Sequence, residues 1–325
     1  MNDGIVLMTA SGGGHTGYSL AIADAMARLY GRKVDIYFVV QEGDSWSSVR
    51  VGRYGKLVYT ARGRRPGESL ARALLGFGRG FIESLARIPK SRVAVCTGHN
   101  HSIPPCIASI MKGSNVILVE DAFRISGGSR SIRMLSRLPS LVALQWEEQR
   151  SLYDRGVVVG PIYEDPIYEP WDGGYILVTT GTHGYKRLFD SLLHTSLDNV
   201  VIQTGRINPE PYRAKRPRWR VFKFSPDIDR WIAGASIVMT HIGMTALNSA
   251  LAYGKPTIIV YNPEWRLAGP PQDALTVARK INALFLPKPA PGLIEALVDK
   301  AVKLKPRRFH NGAHVLARII MNMVS

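Results

Sequence analysis

Apolar residues in this chain come in short unbroken runs. Between the runs they recur every three or four positions. The runs at 5–10, 34–40, 93–97, 116–120 and 141–145 are strand-sized and rich in Val, Ile and Leu, and so are those at 175–180, 200–203, 221–224, 237–240 and 257–261. A strand apolar on both faces needs cover on both. The stretches 18–30, 70–87, 131–138, 244–253, 274–281 and 293–303 place their apolar residues on one helical face. Strands and helices in alternation predict buried parallel sheets of the doubly wound α/β type.

The alternation breaks near residue 160. Residues 161–174 hold three prolines and four acidic residues with no apolar period, the signature of an interdomain linker. This predicts one Rossmann-like domain over 1–160 and a second over 175–325. Two such domains would hold ligands in a cleft between the carboxyl ends of their strands. Val315, Leu316, Ile319, Ile320 and Met323 recur at helical spacing after the second domain's elements are complete. A terminal helix over 311–323 is therefore expected to cross back to the first domain.

Charge changes the picture next. Among 325 residues, 42 Lys and Arg against 25 Asp and Glu leave a formal charge of +17. Such a surface favours an anionic partner. Residues 50–92 hold 11 Lys and Arg against two Glu, interleaved with Leu74, Leu75, Phe81 and Ile82. A basic amphipathic helix of this kind suits an anionic membrane surface. A second basic cluster spans 206–223. Neither has the regular aromatic interleaving of a nucleic-acid platform, so no nucleic-acid partner is expected. The N-terminus has no basic stretch followed by a long apolar run, and no run approaches the ~18 residues that span a bilayer. The expected location is cytoplasmic and peripheral on the cytoplasmic membrane face. Cys96 and Cys106 lie in apolar surroundings and read as buried free thiols.

The chemistry concentrates after strands. TASGGGHTG joins the first strand to the first helix, so Gly12, Gly13 and Gly14 can bring backbone N–H groups and a helix N-terminus to a diphosphate. His15 in that loop is titratable near neutral pH and can act as a general base. Glu120, at the end of a parallel strand, is the next candidate. The second domain repeats the device: VTTGTHG brings Gly181 and Thr182 into a strand–helix loop, and VMTHIGMT does the same for Gly243, Met244 and Thr245. His183 and His241 lie in these loops and read equally well as structural residues. No carboxylate cluster suited to Mg²⁺ is evident, so neither a metal nor a cofactor is expected.

These pieces, in this order, resemble a known family. ASGGGHTG, ARGRRPGES, TGHNHSIPPCIAS, VILVEDAFR and LVALQW are similar to the acceptor-side, membrane-docking subunit of the two-subunit UDP-N-acetylglucosamine transferase of N-glycan assembly. ILVTTGTHGYKRLFD, VVIQTGR, ASIVMTHIGMTALNSALAYGKPTIIVYN and PPQDALTVA are similar to its donor-binding catalytic subunit. The chain thus resembles a fusion of the two, related to the MurG-type glycosyltransferases. The resemblance implies a GT-B fold. It implies that Gly12, Gly13, Gly14, Arg62, Arg64 and Arg124 face the acceptor diphosphate, with Glu120, Gln145 and Trp146 in later acceptor-side motifs. It also implies donor contacts from Gly181, Thr182, Arg206, Phe224, Ser225, Gly243, Met244, Thr245 and Gln272. Thr245, Ala246 and Ser249 replace the family's Gly-Ser pair and ribose-binding Glu. Gly269, Pro270 and Pro271 replace its Asp-Asn-His, and Gly98, His99 and Asn100 replace its Asn-Gly-Pro-Gly.

The expected activity is an inverting transfer of GlcNAc from UDP-GlcNAc to a polyprenyl (dolichyl) diphosphate-linked sugar. The expected partners are a nucleotide sugar, a lipid-linked diphosphate acceptor and an anionic membrane surface. A UDP-GlcNAc epimerase, a glycolipid synthase or a non-catalytic homologue would use the same scaffold, and a basic nucleic-acid-binding protein is the remaining alternative.

Overall fold

Strand β1 (Ile5–Thr9) is buried along nearly its whole length, so it must lie inside a sheet covered on both faces. A computed structural model describes residues 4–31, 33–63, 69–264 and 269–325. In it β1 pairs in parallel with β2 (Asp35–Gln41) on one side. The register sets Leu7 against Tyr37 and Met8 against Phe38. Beyond β2 lies β3 (Lys56–Thr60), and on the other flank of β1 come β4 (Val93–Cys96), β5 (Asn115–Val119), β6 (Leu141–Leu144) and β7 (Gly156–Val158). The sheet order is β3-β2-β1-β4-β5-β6-β7, with every pair parallel. The connecting helices are α1 (Gly14–Tyr30), α2 (Ser45–Val51), α3 (Leu70–Arg87), α4 (Ile103–Met111) and α5 (Arg130–Leu135).

The second sheet has the same plan. It contains β8 (Tyr175–Thr179), β9 (Val200–Gln203), β10 (Arg220–Phe222), β11 (Ala235–His241), β12 (Thr257–Val260) and β13 (Leu284–Leu286), in the order β10-β9-β8-β11-β12-β13. Its helices are α6 (Lys186–Leu192), α7 (Glu210–Lys215), α8 (Ile228–Gly234), α9 (Met244–Leu247), α10 (Pro271–Ile281) and α11 (Pro291–Ala301). The stretch 244–253, expected as one helix, is α9 continued by a π-turn over Asn248–Ala252. The core of this unit is built from Leu188, Phe189, Ile202, Met239, Ile258 and Leu286.

The chain divides into residues 1–164 with 310–325, and residues 165–309. The segment read as a linker is therefore shared. Its first residues stay with the first unit, where the Ile162 N–H donates to Gln145 Oε1. Its last residues are pinned to the second unit: the Trp171 and Gly173 N–H groups donate to the Ala233 and Gly234 carbonyls. Buried backbone needs such partners, and the prolines hide them from a sequence period.

The terminal helix α12 (Gly312–Val324) belongs to the first unit and packs on α1. Asn311 caps it, its Oδ1 accepting from the Ala313 N–H at 2.9 Å, and its Nδ2 donates to the Tyr163 carbonyl at 2.7 Å. The Gly312 N–H donates to the Pro161 carbonyl, and a Cβ at Gly312 would collide with the Gly160 carbonyl. Only glycine lets the helix start this close. Ala313, Leu316, Ala317 and Ile320 are buried. Leu316→Ala should therefore cost about 2–5 kcal/mol. In urea unfolding followed by hydrogen exchange, the loss should fall on the first unit and spare residues 165–309, while Val302→Ala, at an exposed site, should change neither.

Candidate functional site

Strands that run parallel bring all their carboxyl ends to one edge. In the first unit, the loop after β1 and the loop after β4 meet there. Gly12 holds φ +78°, and a Cβ on it would lie 3.2 Å from the His99 ring. Glycine is required on both counts. The Gly12 N–H donates to Asp44 Oδ2 at 3.2 Å, and the His15 N–H donates to the Gly12 carbonyl. Gly12 thus shapes the loop rather than presenting its N–H to a diphosphate, a correction to its expected role. The open N–H groups are those of Gly13 and Gly14, at the start of the 17-residue α1. Asp44 is itself engaged as the cap of α2, accepting from the Ser47 N–H and hydroxyl.

His15 Nδ1 makes a short hydrogen bond to the Thr97 carbonyl. A carbonyl only accepts, so Nδ1 carries the proton and Nε2 keeps its lone pair. Among the described residues nothing hydrogen-bonds Nε2. The His99 ring lies 5.6 Å from that of His15. His99 Nδ1 accepts from the His101 N–H, so the neutral ring carries its proton on Nε2. Burial, helped by the neighbouring His15, His101 and Arg62, pushes the His99 pKa down to about 3. His101 lies beneath. Its Nε2 bonds Thr60 Oγ1 at 2.9 Å, its Nδ1 has no partner, and burial pushes its pKa down to about 4.

Glu120 does not join this group. It is 0% exposed, and its carboxylate accepts from the Asp121 N–H, the Ser129 N–H and hydroxyl, and the Tyr153 phenol. Four donors occupy both oxygens, so it clasps the loop after β5 and leaves no position for a substrate proton. Burial raises its pKa, against the pull of these hydrogen bonds. Gln145 and Trp146 serve the same loop: Gln145 Nε2 donates to the Glu120 carbonyl and Trp146 Nε1 to the Ala122 carbonyl. Arg124 lies in the clasped loop, half-buried, its carbonyl accepting from Gln149. Arg62 is exposed and close enough to His99 to act on its charge. Arg64 lies outside the described residues.

In the second unit the equivalent edge joins the loops after β8 and β11. Gly181, at φ +68°, sits under the His241 ring, 3.2 Å from where a Cβ would be. Thr182 is exposed, and its carbonyl accepts from the Arg206 N–H, leaving the Arg206 side chain in solvent. Burial and the nearby His183 push the His241 pKa down to about 4. Burial and Arg206 lower that of His183. Gly243 opens α9, with the Met244 and Thr245 N–H groups following it. The Met244 side chain is buried, which limits its expected contact to the backbone. The Gln203 side chain ties Thr179 to the Ser225 N–H, and next to Ser225 the Phe224 ring is 44% exposed. Gln272 is exposed in the first turn of α10. The hydroxyls of Thr180, Thr240 and Ser249 are buried without partners. Ser249 is thus inside the unit, and not a substitute for a ribose-binding carboxylate. Arg213 and Arg216 of the second basic cluster donate to the Val221, Leu193 and Thr195 carbonyls, which makes them structural.

The sequence assigns Asp44 no role, and names His99 only as part of the altered motif Gly98 to Asn100. The signal for His99 was present as a glycine–histidine turn following a strand that neighbours β1.

Residues 175–280 match the glycosyltransferase family 28 C-terminal domain. Over 299 residues the chain is 21% identical to the UDP-N-acetylglucosamine--N-acetylmuramyl-(pentapeptide) pyrophosphoryl-undecaprenol N-acetylglucosamine transferase of Caldicellulosiruptor saccharolyticus, covering 81% of this chain and 80% of that one. Among solved structures it is similar to Acinetobacter baumannii MurG, with TM-score 0.65, 15% identity and coverage of 98% and 99% of the two chains. It is also similar to a putative UDP-N-acetylglucosamine 2-epimerase from Listeria monocytogenes, with TM-score 0.72, 12% identity and coverage of 99% and 96%. The fold is of the GT-B glycosyltransferase type, two Rossmann-like units each on a parallel sheet. The residues that match the family 28 C-terminal domain all lie in the second unit.

The buried histidines set an acid limit. His99, His101 and His241 are neutral in the fold, with pKa values of about 3, about 4 and about 4, against 6.5 for free histidine. Between those limits the unfolded chain binds protons that the folded chain does not. Their contribution is complete above pH 6.5 and declines as pH falls toward 4. Denaturation midpoints measured from pH 7.5 to 4.5 should fall on acidification, and His101→Gln should flatten that fall. An unchanged slope in the variant would remove His101 from the account.

Proposed function

We propose that the chain is an inverting glycosyltransferase that moves GlcNAc from UDP-GlcNAc to a polyprenyl (dolichyl) diphosphate-linked sugar, as in N-glycan precursor assembly. The family 28 match over 175–280 carries the transferase reading. The Caldicellulosiruptor saccharolyticus relative, a pyrophosphoryl-undecaprenol N-acetylglucosamine transferase, supports the donor and acceptor classes. In the reaction an acceptor hydroxyl oxygen attacks the anomeric carbon, its proton passes to a base, and the bond to the UDP oxygen breaks. His15 Nε2 is the base: its lone pair is fixed by the Nδ1 bond to Thr97, which also steadies the imidazolium once formed. Gly13 and Gly14 offer N–H groups to the acceptor diphosphate. N–H groups at Gly181–Thr182 and Met244–Thr245 stabilise the departing UDP, and Phe224 stacks on its base. Backbone donors supply the positive potential, so the mechanism needs no metal.

Helix α3 meets the membrane. Leu74, Leu75 and Ile82 are exposed, Leu75 at 75%, on a helix whose first turn carries Arg72. Among the described residues, no helix is long and apolar enough to cross a membrane. Of its arginines, Arg79 and Arg87 are paired with Glu42 and Glu83, so apolar insertion contributes more than the charge count implies. Leu75→Asp should abolish flotation with anionic vesicles. Raising the salt should only weaken wild-type flotation, because Debye screening reaches the charges and not the apolar contact.

An epimerase is the second reading, favoured by the TM-score of 0.72 to the Listeria monocytogenes protein. Incubation with UDP-GlcNAc separates the two. A transferase releases UDP only when a lipid diphosphate-linked sugar is present, whereas an epimerase converts the nucleotide sugar alone. His15→Ala should lower turnover by about 10²–10⁴-fold while leaving the UDP-induced thermal shift intact. Identical turnover in the two proteins would assign the base elsewhere.

A further inference from the structure

The first unit carries a second charged concavity that the reaction does not use. A pocket of about 320 Å³ is lined by Arg133, Ser136, Arg137, Tyr153, Asp154 and Arg155. Arg133 is in the last turn of α5, and Arg137 follows four residues on in the turn after it. Arg155 comes from a different segment, its carbonyl accepting from the Val142 N–H near the amino end of β6. The pocket therefore lies away from the carboxyl edge that holds Gly13, Gly14 and His15. Tyr153 is fixed by donating its phenol proton to Glu120.

Three arginines converge here and, among the described residues, none has an ion-pair partner. The single side-chain bond of the three is a 3.5 Å contact from Arg133 to the Gly127 carbonyl. Asp154 is the one carboxylate on the lining. Elsewhere in the same unit converging arginines are matched: Arg79 and Arg87 share Glu42 and Glu83, and Arg50 grips Glu164. A favourable helix dipole accounts for cations at the end of α5 but not for Arg155.

We propose that this pocket binds a phosphoryl group. A compact multiply charged anion with several acceptor oxygens matches guanidinium N–H forks. The arginines must supply the donors, because the Ser136 hydroxyl donates to the Arg133 carbonyl and the Tyr153 hydroxyl to Glu120. The phosphoryl group can come from a free phosphate or from a lipid headgroup.

The test uses the full chain and inorganic phosphate, titrated calorimetrically at constant ionic strength against a chloride control. Arg137→Gln with Arg155→Gln should weaken phosphate binding at this site by about tenfold or more. Arg137→Lys with Arg155→Lys keeps the charge and loses the forks, and should bind distinctly less tightly than wild type. Crystals soaked in selenate should show anomalous density among the three arginines. Flotation with phosphatidic acid vesicles identifies the source. Dependence on Arg137 and Arg155 there points to a headgroup, and dependence seen with soluble phosphate alone points to a free ion. Equal phosphate binding by wild type and the Gln pair, or by wild type and the Lys pair, or selenate absent from the pocket, would overturn the proposal.

Discussion

A parallel strand cannot turn back on its neighbour, so each pairing in these sheets requires a crossover on one face or the other. The direction of crossover reverses beside β1 and again beside β8. From β1 the chain builds outward through β2 and β3, then returns to place β4 on the other side. From β8 it builds through β9 and β10, then returns to place β11. At each reversal two loops leave the carboxyl edge in opposite directions and open a crevice. The residues with chemistry fall there: Gly12 to His15 after β1 with His99 after β4, and Gly181 to His183 after β8 with His241 at the end of β11 and Gly243 to Thr245 after it. The two halves repeat one device, a glycine turn with a histidine ring laid over it. His99 covers Gly12 and His241 covers Gly181, both at 3.2 Å from a would-be Cβ.

Burial then decides what each polar group at these edges can do. A carboxylate out of water must be matched by donors, and Glu120 is matched four times over. That makes it a strong clasp on the loop after β5 and unfit to take a proton from a substrate. The histidines illustrate the opposite case. Desolvation keeps His99, His101 and His241 neutral, and a neutral imidazole is assigned its tautomer by its partners. His15 is only half-buried, and its one hydrogen bond leaves Nε2 as an acceptor. The same geometry that fixes the ring therefore also exposes its basic atom.

Much of this was legible along the chain. The central strands announce themselves because both their faces are buried, which forces unbroken Val, Ile and Leu. The glycine loops are legible because positive φ leaves few alternatives to glycine. Edge strands are not so constrained. Lys56 and Tyr59 in β3 face solvent, so no apolar run marks it, and β7 lies just ahead of the proline-rich stretch that conceals it. Helix α2 is seven residues long and depends on its Asp44 cap more than on any periodicity. Glu120 misled for a definite reason. The end of a parallel strand does point to the site edge, but a sequence cannot show that Ser129 and Tyr153 fold back onto the same carboxylate.

Net charge is the property least interpretable without contacts. The formal +17 describes a free surface charge only after the arginines already paired are set aside. Arg50 is held by Glu164, Arg79 and Arg87 by Glu42 and Glu83, and Arg213 and Arg216 by backbone carbonyls. The densest basic stretch in the sequence is thus partly neutralised by its own neighbours. Unpaired charge also gathers around Arg133, Arg137 and Arg155. One comes from α5, one from the turn after it and the third from a strand entrance, so only folding assembles them. A carboxylate for each arginine would make the pocket a set of ordinary surface ion pairs of small net value. Asp154 is the one carboxylate against three guanidinium groups, so the lining keeps a net positive charge.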